Sequence, residues 1–236
     1  MYNEEENVED LIKLIEEQGP KNYKIIVVND GSTDDTLHIL ERLSKSYPII
    51  IVNHAKNQGL SVTMKDVFLA GIKYAKPGDI FITLDGDMSH NPKFAHIMVN
   101  CIINENYDLV IASRFVKGSK VYGVTFFRKI LSWGIKVLFI GLGVKDKTCG
   151  FRAYSYDITN RLVNHYGNNN FITSKGFEVQ MELLIKLSKI TTLKLKEIPF
   201  DLRYDLKKGK SKLKLFRTIK LYLILLFKYY TGYFSK

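Results

Sequence analysis

Asp79-Ile80-Phe81-Ile82-Thr83-Leu84-Asp85-Gly86-Asp87 is an apolar, β-rich run that ends on two carboxylates one residue apart. Asp79 to Leu84 reads as a buried strand. In open α/β sheets, ligands bind at the carboxyl ends of strands. Two carboxylates there can hold a hard divalent cation that bridges a diphosphate to the protein. Taken alone, the same residues also suit a polar turn bent at Gly86.

Working outward, helix and strand patterns alternate. Val8, Leu11, Ile12 and Ile15 recur at helical spacing, and Tyr23 to Val28 is a second buried strand. Ser32-Thr33-Asp34-Asp35 has the form of an N-cap box opening a helix to about Tyr47. Ile49 to Val52 reads as a strand and Leu60 to Ala75 as a helix. Asn91-Pro92 caps a helix to about Asn104, and Leu109 to Ala112 is a further strand. This order predicts an α/β protein with a mostly parallel sheet flanked by helices. Beyond Ser113 the spacing predicts a helix over Thr125 to Leu142, an extended Cys149 to Tyr154, a helix over Phe177 to Leu187 and a strand over Leu193 to Ile198. Lys212 to Phe234 reads as an amphipathic helix, basic at its start and aromatic and aliphatic towards its end.

With 236 residues, 46% of them hydrophobic, the chain is long and apolar enough for one domain with a sizeable core, which excludes disordered and low-complexity classes. Two cysteines, Cys101 and Cys149, exclude a disulfide scaffold, and no CxxC or Cys/His cluster suggests zinc. The net charge of +11 suggests an anionic partner: nucleic acid, a phospholipid surface or a phosphate-bearing substrate. Seven of the basic residues, and no acidic one, fall between Lys207 and Lys220, which leaves the rest near balance. The division expected is a binding domain over residues 1–203 and a basic, membrane-associating tail over residues 204–236. No nucleic-acid recognition motif accompanies the charge, so no nucleic-acid partner is expected.

Met1 is followed by the acidic Glu4 to Asp10, which does not read as a signal peptide. The longest strongly apolar run near the C-terminus, Leu221 to Phe227, is far shorter than the ~20 residues that span a bilayer. Lys/Arg clusters beside that run, with Tyr222, Tyr229, Tyr230 and Tyr233, suit a lipid interface. The expected location is therefore peripheral, on the cytoplasmic face of a membrane.

The common phosphate loops are absent. There is no GxGxxG, and Gly209-Lys210-Ser211 lacks the glycine a P-loop needs at Tyr204. Instead, Asn29-Asp30-Gly31-Ser32-Thr33-Asp34-Asp35 forms a second acidic strand end, where Asp30 could accept hydrogen bonds from a base or ribose. Tyr2-Asn3-Glu4-Glu5-Glu6-Asn7 is a third polar loop, whose acids also suit a helix N-terminus.

Taken in order, these three segments resemble the family 2 glycosyltransferases, and the resemblance covers nearly the whole chain. It implies the glycosyltransferase A-type fold and a nucleotide-sugar donor, GDP- or UDP-linked. It implies that Tyr2 and Glu4 flank the nucleotide, that Asp30 contacts the base, and that Asp85, with Gly86, contacts the ribose or diphosphate side. Asp87 would ligate Mg²⁺ or Mn²⁺, with Ser89 standing where some relatives have a longer metal-facing side chain. Ser113-Arg114-Phe115, Arg128 with Ser132, Thr148 to Tyr154, Glu197-Ile198-Pro199, Arg203 and Gly209 to Leu213 resemble the dolichol-phosphate mannosyltransferase and polyprenyl-phosphate subgroup. There the matching positions, here Arg114, Arg128, Ser132, Arg203 and Lys212, bind phosphates of donor and acceptor. Gln180 and Glu182 also match a family motif, yet equally suit the polar face of a helix.

The chemistry implied is a single displacement with inversion at the anomeric carbon. A polyprenyl or dolichyl phosphate acceptor is already an anion near neutral pH, so no general base is required, and none is unambiguous here. A glycan or lipid hydroxyl acceptor would need one. A non-catalytic remnant that binds membrane through its basic tail is the alternative outside enzymes. The family's first strand usually runs into the YNE loop, where here only Met1 precedes Tyr2; its absence would leave unpaired backbone groups inside the sheet.

Overall fold

The computed structural model describes residues 1–123, 142–208 and 215–235. The helix expected over Thr125 to Leu142, with Arg128 and Ser132, falls largely outside these residues, and Lys212 lies outside them too.

Helix α1 (Glu5–Gln18) buries Val8, Leu11 and Ile12, and its first turn carries Glu5 and Glu6 against the positive end of the helix dipole. It leads to β1 (Ile25–Asn29), α2 (Thr36–Leu43), β2 (Ile49–Asn53), α3 (Leu60–Tyr74) and β3 (Ile80–Thr83). A 3-10 turn at Pro92–Phe94, capped by the Asn91 side chain as expected, opens α4 (Ala95–Ile103). Then follow β4 (Leu109–Ser113), β5 (Lys120–Tyr122), β6 (Arg152–Ser155), α5 (Tyr156–Tyr166), α6 (Val179–Ile190), β7 (Leu195–Pro199), β8 (Asp201–Arg203) and α7 (Leu215–Tyr230).

The α/β alternation is as expected, but the sheet is mixed. β1–β2, β4–β7 and β5–β8 pair in parallel, whereas β6 runs antiparallel between β3 and β4. β4 is buried along its whole length, as a strand covered on both faces must be. Around it, Phe68 of α3 packs edge-to-face on Tyr154 and Phe171, at 5.2 and 6.3 Å between ring centres.

Among the described residues, β1–β2 and the four-stranded sheet are not joined by a ladder. An apolar cleft of about 780 Å³ separates β1 from β3. Met1 closes its end: its amino group donates to Val28 O at 2.5 Å and its carbonyl accepts from Asp30 N at 2.7 Å. β1 and β3 thus both line this cleft with no ladder between them among the described residues.

Two local expectations are corrected. Asp35 stands at the N-cap of α2 as expected, but its side chain makes no capping bond, and the helix ends at Leu43 rather than near Tyr47. The Ser32 hydroxyl accepts from Asn3 N, and Asp34 Oδ1 accepts from the Thr36 N–H and hydroxyl. Tyr222 is not an interfacial side chain but is buried, its hydroxyl donating to Phe177 O at 3.2 Å. It joins Met181, Ile185, Leu225 and Phe234 in a small core that docks α7 on α6.

Candidate active site

The carboxyl ends of β1, β3 and β4 carry Asp30, Asp85 with Asp87, and Arg114, and Met1 lies between the first two, its carbonyl accepting from Asp30 N and its side chain against Gly86. The loop after β3 is tightly wound. Met88 sits at φ 64°, a left-handed conformation that costs a non-glycine residue about 1–2 kcal/mol. That bend turns Ser89 back on Asp87, so that its N–H and hydroxyl both donate to Asp87 Oδ1, at 3.2 and 2.6 Å. Gly86 packs against the Met1 side chain, which would have to shift for a Cβ there, at 2.8 Å.

Asp87 is 6% exposed, and its outer oxygen Oδ2 accepts from Lys207 Nζ at 2.5 Å. Burial opposes its charge, but the Lys207 ammonium and the Ser89 hydroxyl outweigh burial and hold the carboxyl below its ordinary value. Asp85 keeps 49% of its side-chain surface open. Desolvation, together with the neighbouring Asp87 charge, pushes its carboxyl up. His90 is buried and stacks on Phe151 at 5.3 Å; its Nδ1 accepts from Asp85 N, which places the ring proton on Nε2.

Hard carboxylate oxygens suit Mg²⁺ or Mn²⁺. The ammonium on Asp87 Oδ2 marks a place where this structure already seats positive charge, so the residues present fit such an ion. Among the described residues no group of three or more His, Cys, Asp or Glu could enclose a metal. The remaining coordination would therefore come from substrate and water, as is usual for Mg²⁺. Ser89, expected among the ligands, is fully buried with its hydroxyl turned onto Asp87.

The β1 end is interlocked with the start of the chain. Asn3 Oδ1 accepts from Thr33 N, Glu4 N donates to Thr36 Oγ1, and Glu4 Oε2 accepts from Asn7 Nδ2. Glu4 is thereby buried at the head of α1, with Tyr2 half-buried beside it. Asp30 is 3% exposed. Its Oδ1 meets Gln58 N and His54 Nδ1, its Oδ2 accepts from Gly59 N, and His54 Nε2 lies 2.8 Å from Asp66. Asp30 thus anchors the loop over residues 54–59 against the carboxyl end of β1. The same loop crosses Gly31 (φ 66°) so closely that a Cβ would lie 2.3 Å from Lys56 backbone.

Arg114 donates through Nε and Nη2 to both oxygens of Asp146, at 2.7 and 2.6 Å, and through Nη2 to Thr148 Oγ1. Glu197 in turn accepts from Lys145 N and Asp146 N. The Arg114, Thr148 and Glu197 motifs therefore meet in one scaffold. Arg203 lies on the rim, paired with Asp205 and stacked over Tyr122 at 5.2 Å.

Burial would raise the Asp146 carboxyl, but Arg114 reverses this and holds it below its ordinary value of 3.8. A depressed folded value contributes stability that is complete above 3.8 and fades as pH falls through the folded value. Denaturant midpoints of wild type and Asp146→Asn are expected to differ by a constant amount at neutral pH and to converge on acidification below 3.8. A gap unchanged into strong acid would contradict that role.

Sequence reasoning passed over Lys207, His54, His90 and the structural part of Arg152. Arg152 is fully buried and donates to the carbonyls of Lys147, Cys149 and Gln180. Gln180 and Glu182 are buried rather than on a polar face. Glu182 accepts from the Thr173 and Ser174 backbone and pairs with Lys186 at 2.6 Å. Burial pushes the Cys149 thiol up to about 12, so it is no thiolate ligand or nucleophile near neutral pH.

The fold is that of the A-type glycosyltransferases. Two structures of glucosyl-3-phosphoglycerate synthase from Mycobacterium tuberculosis superpose with TM-scores of 0.69 and 0.67, both at 18% identity. They cover 97% and 98% of this chain and 77% and 76% of theirs. The first is a complex with phosphoglyceric acid, the second with Mn²⁺, UDP and glucosyl-3-phosphoglycerate.

The model of glycosyl transferase family 2 matches residues 1–163, and the chain belongs to that family. It is 36% identical over 222 residues to the dolichol-phosphate mannosyltransferase of Pyrococcus furiosus, covering 90% of this chain but 57% of that protein's length. It is 26% identical over 189 residues to the polyprenol monophosphomannose synthase of Mycolicibacterium smegmatis, covering 77% and 67% of the two chains.

Proposed function

We propose that this protein transfers a hexose, with inversion, from a GDP- or UDP-linked donor to a polyprenyl or dolichyl phosphate at a membrane surface. The observation that carries this reading is the placing of Asp85 and Asp87 after β3 and of Asp30 after β1 on either side of Met1, whose carbonyl accepts from Asp30 N and whose side chain lies against Gly86. The names of the Pyrococcus and Mycolicibacterium relatives support the acceptor and the sugar class.

In this reading Asp87, oriented by Ser89, holds the cation, and Asp85 borders the ribose and diphosphate. Asp30 and its 54–59 loop border the base, beside Tyr2 and Glu4. A bound Mg²⁺ or Mn²⁺ would supply Lewis-acid stabilisation of the departing diphosphate. An acceptor phosphate oxygen attacks the anomeric carbon, while the bond from that carbon to the nucleoside diphosphate breaks and its electron pair leaves on the diphosphate oxygen. Arg128, Ser132, Arg203 and Lys212 bind the phosphates by their places in the motifs.

Membrane contact falls to α7. Phe216 (88% exposed), Leu223, Phe227 (70% exposed) and Tyr230 follow one another at spacings of a single helical face, beside the exposed Arg217 and Lys220. Such a face, with its cations, fits an anionic lipid surface. Among the described residues no helix is long and apolar enough to cross a membrane.

A hydroxyl acceptor is a second reading, favoured by the commitment of Arg114 Nε and Nη2 to Asp146 rather than to a phosphate. The two are separated by incubating the protein with labelled nucleotide sugars, Mn²⁺ and polyprenyl phosphate in anionic vesicles, then extracting with organic solvent. Label in the lipid phase only when the acceptor carries its phosphate is expected. Label moving instead to polyprenol or to a soluble sugar acceptor contradicts the first reading.

A further inference from the structure

We propose that Lys207 is a diphosphate-binding residue that doubles as the counter-cation of Asp87 while no metal is bound. The proposal deepens the glycosyltransferase reading and rests on it.

Lys207 leaves the 3-10 turn Tyr204–Leu206 and returns to the loop after β3, where its ammonium rests on Asp87 Oδ2, with 16% of its side chain exposed. Its position is set from both sides. Upstream, Arg203 N donates to Ser89 O at 3.0 Å, so the chain has already been fixed to the Asp87 loop four residues earlier. Downstream, Lys208 O accepts from Asn7 Nδ2, and Lys208 Nζ donates to Glu6 O and reaches Asp10 at 3.3 Å. The segment therefore spans from the loop after β3 to the head of α1.

Asp87 has one oxygen turned inward and one outward. Oδ1 is taken by the Ser89 N–H and hydroxyl; Oδ2 carries Lys207. An ammonium and a divalent cation repel at the few ångströms that sharing one oxygen would impose. A metal on Oδ2 therefore displaces the ammonium. The anchors at Arg203 and Lys208 would keep it close by, within reach of the oxygens of a bound diphosphate. A compact ammonium with three donors suits a phosphate oxygen well. One cation would then balance Asp87 in the empty site and the diphosphate in the loaded one.

Opposite changes in two affinities follow from removing it. Mn²⁺ alone, titrated without nucleotide, is expected to bind Lys207→Met about tenfold tighter than wild type, because the competing occupied state is gone. UDP or GDP, titrated at saturating Mn²⁺, is expected to bind the same variant about ten- to a hundredfold weaker, the worth of a hydrogen bond to a charged group. Lys207→Arg is expected to restore nucleotide affinity. Circular dichroism of each variant checks that the fold is kept.

Equal affinities in wild type and Lys207→Met, or a fall in both, would overturn the proposal; a fall in both is what a purely structural lysine gives. If wild type takes Mn²⁺ but neither nucleoside diphosphate, the glycosyltransferase reading itself fails, and the diphosphate half of this proposal with it. If wild type binds Mn²⁺ and nucleotide while Lys207→Met matches it in both, only this proposal fails.

Discussion

Asparagine in place of Asp87 is expected to lower sugar transfer by about a thousandfold, near the upper end for one group that stabilises developing charge. The substitution keeps the shape and leaves an oxygen able to accept from Ser89, but removes the carboxylate charge. Asp87 is nearly buried, and the Lys207 ammonium and Ser89 hydroxyl already hold it ionised against that burial. A neutral amide offers a cation much less there, and it leaves the Lys207 ammonium half-buried beside no charge. Ser89→Ala should do less, about ten- to a hundredfold, because it removes only the group that orients the carboxylate. Rates of label transfer at saturating Mn²⁺ measure both. An Asp87→Asn enzyme within tenfold of wild type would remove Asp87 from the proposed chemistry.

The largest expected effect on stability comes from Arg152. Replacement by methionine keeps much of the length and apolar stem but removes the guanidinium that donates to the carbonyls of Lys147, Cys149 and Gln180, of which Gln180, in the first turn of α6, keeps its helical bond. Leaving buried polar groups without partners costs about 1–3 kcal/mol each when nothing replaces the bond. Partial relaxation brings the total to about 3–5 kcal/mol, as for other broken buried charged networks. At this chain length each kcal/mol lowers the melting temperature by about 2–4 °C. Thermal unfolding followed by circular dichroism should therefore show a fall of roughly 6–20 °C. A fall under 2 °C would mean that the loop from Lys147 to Arg152 is held by something else.

Much of the architecture was legible because its signals are local. The apolar run ending at Asp85 and Asp87, the helical spacing of Val8, Leu11 and Ile12, and the Asn91-Pro92 cap need only near neighbours. What escaped depends on distant partners. Arg114 reads as a phosphate clamp until Asp146, 32 residues on, takes its guanidinium. Ser32 reads as a cap until Asn3 claims its hydroxyl. Lys207 is one of seven cations in a basic stretch, and nothing nearby in sequence singles it out; only the return of the chain past Ser89 does. β5 and β8 have three residues each, too short for any periodicity, and are held by pairing with one another and by the bridge from Leu202 to His90. The direction of β6 is likewise set by its partners β3 and β4. α5 did carry local signals: the Ser155 side chain caps it at Ile158 N, and Ile158, Leu162 and Val163 form its buried face.

The central claim is that the rim at Asp30, Asp85 and Asp87 is a metal-dependent nucleotide-sugar site. Calorimetric titration of GDP- and UDP-hexoses onto the intact protein, with Mn²⁺ and again with a chelator, tests it most directly. Saturable one-site binding of one donor, lost on chelation and in Asp87→Asn, is the expected result. Absence of binding by either donor, or binding indifferent to both the chelator and Asp87→Asn, would contradict it.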